Sequence, residues 1–230
     1  MSEAMFEDHE MVKRGVVEAR SYQAKIAASC LRGNTLVCLP TGLGKTVIAA
    51  LVAAERLKRY PGKKVVMLSP TRPLVLQHLE TFRRILKLPP EELDAVTGYV
   101  PPSEREAAWR RRVIFSTPQV LSNDILASRV NLEDVSLMIF DEAHRGVGDY
   151  AYTFIAERYA STTDPLILGL TASPGCSRQD IEATMRNLYI RYVEARTAAS
   201  RDVKPYLSGI RVEWVRVPLP DKFLQVKKLL

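Results

Sequence analysis

Two short stretches carry residue types suited to phosphate chemistry. In LPTGLGKT, Leu39 to Thr46, a lysine and a threonine follow two glycines where a short apolar run gives way to an alanine-rich one. Glycines let successive backbone N–H groups turn toward one anion, and a helix that starts there adds its unpaired N–H groups and positive dipole end. Pro40, Thr41, Gly42, Leu43 and Gly44 then wrap a phosphate chain. Lys45 reaches its outer phosphates, and the Thr46 hydroxyl holds Mg²⁺. The usual pattern GxxxxGK[ST] asks for glycine where this chain has Leu39. A plain strand-to-helix turn with an exposed lysine is therefore the competing reading.

The second stretch, SLMIFDEAHR, ends an apolar run with adjacent carboxylates, Asp141 and Glu142. Asp141 can hold Mg²⁺ through water, and Glu142 can polarise an attacking water. Taken alone, the pair would also suit a helix cap. A parallel strand, however, delivers its C-terminal residues to the same sheet edge as the glycine loop. Both stretches together make a nucleotide site the better reading, with Lys45, Asp141 and Glu142 as its catalytic residues.

The elements that must position these groups are legible as alternation. Apolar runs rich in β-formers recur at TLVCL, KVVMLS, RVIFST, SLMIFD and PLILGLT. Between them lie helical periods such as RPLVLQHLETFRRILKL, where Val75, Leu79, Phe82 and Leu86 share one face. Strands alternating with helices predict an α/β lobe with a mostly parallel central sheet and helices on both faces. Ser21 is placed to cap a helix that stops at Gly33, and Ser103 with Glu106 and Ser177 with Asp180 match the capping-box spacing. His9 and His78 read as surface or packing residues without partners. The run WRRR, Trp109 to Arg112, reads as a solvated helix end, with a basic groove patch as the alternative.

Composition bounds the class. The chain has 230 residues, 47% hydrophobic and 26% charged, ordinary for a globular protein with a real core. The formal charge of +7 makes polyanions plausible partners. The three cysteines, Cys30, Cys38 and Cys176, have neither disulfide-framework nor zinc spacing. No apolar run reaches the ~18 residues of a membrane helix, and the acidic N-terminus does not read as a secretory signal, so a cytoplasmic location is expected. Residues 1–218 read as one lobe. Residues 219–230 begin a further helical segment that runs out at Leu230 without a cap, which suggests a fragment.

The motifs also carry a resemblance. DEAH after an apolar strand, PTGLGKT upstream and LTASPG downstream resemble the superfamily 2 helicases and translocases. ARSYQ resembles their Q motif, SPTRPLVLQH motif Ia, TPQVL motif Ib and LTAS motif III, all in the family's order. Within that superfamily these stretches look most like the archaeal Hef helicases and the Fanconi-anaemia M-type translocases, with RIG-I-like and Dicer helicases as relatives. The resemblance implies a RecA-like P-loop lobe that binds ATP and Mg²⁺ and acts in DNA repair on branched or forked DNA. A lobe that binds duplex RNA is the alternative. It implies that Arg20, Tyr22 and Gln23 grip the adenine, and that Thr71, Arg72, Gly98, Thr117 and Gln119 face one strand of nucleic acid. For Gly98 a simple turn serves equally well. It further implies that Thr171 and Ser173 join His144 in a hydrogen-bonded link between the two sites. A second RecA-like lobe supplies arginine fingers in such enzymes, and no QxxGRxxR pattern occurs here. The isolated lobe is expected to hydrolyse ATP poorly.

Overall fold

The computed structural model describes residues 9–16, 20–148, 150–172 and 178–206. Along the chain these form α1 (Ser21–Cys30), β1 (Thr35–Cys38), α2 (Lys45–Arg59), β2 (Lys64–Leu68), α3 (Arg72–Ile85), β3 (Leu93–Val96) and α4 (Pro102–Ala108). They continue as β4 (Val113–Ser116), α5 (Pro118–Leu126), β5 (Val135–Phe140), α6 (Tyr150–Ala160), β6 (Ile167–Thr171), α7 (Arg178–Asn187) and β7 (Tyr192–Ala195). The strands make one seven-stranded sheet in the order β3-β4-β2-β5-β6-β1-β7. Every pairing in it is parallel.

The apolar runs are strands because both of their faces are covered. In β2 and β5, Val65, Met67, Leu137 and Ile139 join one core, while Val66, Leu68, Met138 and Phe140 join the other. Successive strand side chains point to opposite faces, so this alternation places a layer of helices on each side. The first core takes Ile26, Ile48, Val52 and Phe82 from α1, α2 and α3. The second takes Leu121, Tyr152, Ile155 and Tyr159 from α5 and α6. Phe82 meets Phe115 edge to face, with ring centroids 5.0 Å apart. Such a pair contributes about 0.5–1.5 kcal/mol beyond its buried area.

Val75, Leu79 and Phe82 are buried along α3 as the periodicity predicts. That helix stops at Ile85, and Leu86 instead forms a bridge to Val12. The caps differ from expectation. Arg20, not Ser21, precedes α1, which ends at Cys30 rather than reaching Gly33. A Cβ at Gly33 would lie 2.8 Å from the Tyr192 ring, which would have to shift to admit it. Ser103 lies inside α4, which starts at Pro102, where a fixed φ and missing N–H suit a first turn. Ser177 and the segment 219–230 lie outside the described residues. No described helix is long and apolar enough to cross a membrane.

Because all strands run the same way, their C-terminal ends share one rim. Along it the order of loops is Gly98 after β3, Thr117 after β4, Thr71 after β2, Asp141 after β5, Thr171 ending β6 and Leu39 after β1. The residues expected to face nucleic acid occupy one half of this rim, and those expected at a nucleotide occupy the other. Only β6 separates β1 from β5, so the glycine loop and the acidic pair lie about two strand spacings, ~10 Å, apart.

Candidate functional site

The loop after β1 is held in a shape that requires glycine. Gly42 and Gly44 have φ of +82° and +75°, in the left-handed region. Gly44 is the residue before α2, so that helix's free N–H groups face the loop. Leu39, where the usual pattern has glycine, is fully buried, and its N–H extends the β1 ladder to the Thr171 carbonyl at 3.1 Å. An extended core position accommodates a side chain, which explains that departure. Lys45 Nζ donates to the carbonyls of Leu39 at 2.9 Å and Pro40 at 3.4 Å. Burial pushes the ammonium below its ordinary range, while Glu142 and Asp141 act in the opposite direction. Cys38 lies beside it, and burial pushes that thiol up to about 11.

A clamp from α1 fixes the loop from behind. Tyr22 Oη donates to the Leu43 carbonyl at 2.8 Å, and Gln23 Nε2 donates to the same carbonyl at 3.2 Å. Tyr22, expected at the adenine, is fully buried, and its hydroxyl bonds the Leu43 carbonyl. Arg20 and Gln23 line a hollow of about 220 Å³ with Gly42, Gly44, Val47 and Arg84. Arg84 escapes sequence reading because α3 must fold against the loop before the two meet.

The acidic pair sits at the end of β5. The Asp141 N–H bonds the Leu68 carbonyl at 2.9 Å, and its own carbonyl accepts Tyr152 Oη at 2.7 Å. Its carboxylate Oδ2 accepts from His78 Nε2 at 2.8 Å, and His78 Nδ1 lies 3.4 Å from Thr46 Oγ1. His78 therefore has partners on both sides, against the expectation of none. His9 is likewise buried and bonded, to Glu55 at 3.1 Å. Glu142 has φ of +50°, a left-handed backbone that is costly for a residue with a Cβ. It makes no side-chain cap, which removes the helix-capping alternative. His144 Nδ1 lies 3.3 Å from Glu142 Oε2 and 3.1 Å from Thr171 Oγ1. The expected contact between Thr171 and His144 is therefore formed, while Ser173 lies outside the described residues.

On the other half of the rim, Thr71 and Thr117 stand immediately before α3 and α5, and neither side chain caps its helix. Arg72, Gly98 and Gln119 are exposed. The Arg72 guanidinium lies 4.3 Å from the ring centroid of Tyr99, which is 79% exposed. Beneath them Asp124, fully buried, accepts from Trp109 Nε1 at 2.8 Å, Arg129 at 3.0 Å and Arg105 at 3.3 Å. Arg105 also donates to the Val100 carbonyl, fixing the loop that carries Gly98 and Tyr99. Trp109 is thus an anchor, and Arg110 and Arg111 are exposed as a solvated helix end requires.

Among the described residues no group of three or more His, Cys, Asp or Glu side chains is arranged to hold a metal. The oxygens of Thr46 and Asp141 instead suit a hard cation such as Mg²⁺, which keeps waters and takes few protein ligands.

A parallel sheet with a glycine loop and an acidic pair on one rim defines a RecA-like α/β lobe. Residues 20–181 match the family described as DEAD/DEAH box helicase, and the chain belongs to that family. A Methanocaldococcus jannaschii protein named as an ATP-dependent RNA helicase is 42% identical over 227 residues, covering 98% of this chain and 29% of that protein. A Drosophila melanogaster protein named DEAD-box ATP-dependent DNA helicase Fancm is 37% identical over 228 residues, 96% of this chain and 15% of that one. The crystal structure of the Pyrococcus furiosus Hef helicase domain superposes with a TM-score of 0.84 at 53% identity, covering 95% of this chain and 47% of that domain. The chain thus spans less than half the length of these relatives.

Proposed function

We propose that this chain is the ATP-binding first lobe of an ATP-dependent DNA helicase or translocase acting on branched or forked DNA. The observation that carries the reading is the division of one rim, with Lys45, Thr46, Asp141 and Glu142 on one half and Thr71, Arg72, Gly98, Thr117 and Gln119 on the other. Lys45 Nζ, now on the Leu39 and Pro40 carbonyls, would turn to the β and γ phosphates of ATP, and the N–H groups from Gly42 to Thr46 would cradle the phosphate chain. Thr46 and Asp141 hold Mg²⁺, which supplies neutralisation of the charge that develops on the phosphate oxygens. Glu142 orients a water toward the γ phosphorus and accepts its proton as the bond to ADP breaks. Gln23 and Arg20 border the hollow that takes the base.

The opposite half holds a strand by its phosphates, through hydroxyl, guanidinium and amide groups that position without reading sequence. His144, between Glu142 and Thr171, links hydrolysis to the strand. A second RecA-like lobe, which the greater length of the relatives accommodates, supplies the arginine fingers. They are worth about 10³ to 10⁵ in rate. The preference for DNA rests on the name of the Drosophila relative, a DNA helicase.

The name of the Methanocaldococcus relative, an RNA helicase, favours a second reading in which the nucleic acid is RNA, with a duplex as its form. Fluorescent ADP titrated into the chain should bind and should be lost on Lys45→Ala; no binding by the native chain would refute the nucleotide site. ATPase of the chain joined to a second lobe should then rise with forked DNA. Stimulation by duplex RNA alone would establish the second reading instead.

A further inference from the structure

His78 belongs to none of the roles assigned above, yet it touches both groups placed at the metal. We infer that it is a positioning residue that holds Thr46 and Asp141 as one unit and ties that unit to α3, a reading that rests on the nucleotide site proposed above.

Three observations carry this. First, His78 is 6% exposed and faces inward with Val75, Leu79 and Phe82, so its ring has no solvent partner to turn to. Second, one tautomer satisfies both contacts: with hydrogen on Nε2 the ring donates to Asp141 Oδ2, and Nδ1 accepts from the Thr46 hydroxyl. Donating that hydrogen leaves the lone pairs of Thr46 Oγ1 for a cation, and committing Oδ2 leaves Asp141 Oδ1. Third, the Asp141 backbone is fixed at both its N–H and its carbonyl, so the carboxylate torsion is the freedom that His78 removes. A histidine that merely filled space would not need donor and acceptor aimed at these two atoms.

The same helix begins at Arg72, on the nucleic-acid half of the rim. Six residues of α helix span about 9 Å, so a strand gripped at Arg72 and a metal held at Thr46 and Asp141 act on one rigid element. This gives a route between the sites separate from that through His144 and Thr171.

The test is a Mg²⁺ titration of fluorescent ADP binding to the 230-residue chain, with a parallel measurement in EDTA. His78→Leu keeps the apolar packing and removes both hydrogen bonds; His78→Gln keeps a donor and an acceptor. Loss of a group that orients metal ligands typically weakens metal binding about 10- to 100-fold. In His78→Leu the Mg²⁺ concentration at half-effect should rise at least about tenfold. Affinity in EDTA should stay unchanged, and His78→Gln should recover most of the metal response. A Mg²⁺ midpoint in His78→Leu close to that of the native chain would overturn the inference, as would an equal loss with and without metal in both variants. Absence of ADP binding by the native chain would instead defeat the nucleotide site itself, and this inference with it.

Discussion

Replacing Gly44 by alanine strains the phosphate loop in two separable ways. At φ of +75° the left-handed backbone costs a non-glycine residue about 1–2 kcal/mol. The new Cβ would also collide with Gln23 Nε2, forcing that amide off the Leu43 carbonyl. A buried hydrogen bond is worth about 1 kcal/mol, giving about 2–3 kcal/mol in all. Gly42 has a similar φ of +82° but nothing within 4 Å of an added Cβ, so Gly42→Ala should cost only the backbone part. Urea unfolding of both variants should separate them by about 1 kcal/mol. In a Gln23→Ala background, where the collision is gone, the difference should vanish. Equal costs for the two glycines in the native background would refute the reasoning. So would a Gly44→Ala penalty indifferent to Gln23.

Further outcomes follow from the groups around the rim. Asp124→Ala leaves the Trp109, Arg105 and Arg129 donors without their acceptor and should destabilise by about 3–5 kcal/mol, read by urea unfolding. With its thiol pushed up to about 11, Cys38 should react with iodoacetamide roughly a hundredfold more slowly at pH 8 than a thiol of ordinary value 9.0, followed by mass spectrometry, and Lys45→Ala should slow it further. The hydrogen bond from Arg196 holds the Asp202 carboxyl below its ordinary 3.8. A depressed folded value gives stability that is present above the unfolded value and lost as pH falls through the folded one. The stability gap between native chain and Arg196→Met, measured by urea unfolding, should therefore persist at pH 6 and close below pH 3.8.

The strands β1, β2, β4, β5 and β6 were legible because burial on both faces leaves nearly continuous apolar runs. LDAV of β3 and YVEA of β7 were not, since edge strands are half-exposed and carry no such run. The Ser21 and Ser103 caps misled because a spacing match does not reveal where proline or tertiary packing starts a helix. Of the site, Gly42, Gly44, Lys45, Asp141 and Glu142 announced themselves through residue type. The bond from Tyr22 to the Leu43 carbonyl was not legible, because it depends on how α1 packs on the loop. His78 did leave a signal: it lies three residues after Val75 and four before Phe82, on the inward face of α3, where a polar group calls for a partner. Its partners come from two distant segments, Thr46 and Asp141, and only the folded sheet brings them together.

In the proposed site one rim bears both the glycine loop and the acidic pair. A crystal structure of the chain with Mg²⁺ and a non-hydrolysable ATP analogue tests it most directly. Lys45 Nζ is expected to have left the Leu39 carbonyl for the β and γ phosphates, with Thr46 and Asp141 at the metal. Triphosphate density at the opposite rim, or at this rim with Asp141 and Glu142 turned away from it, would contradict the account.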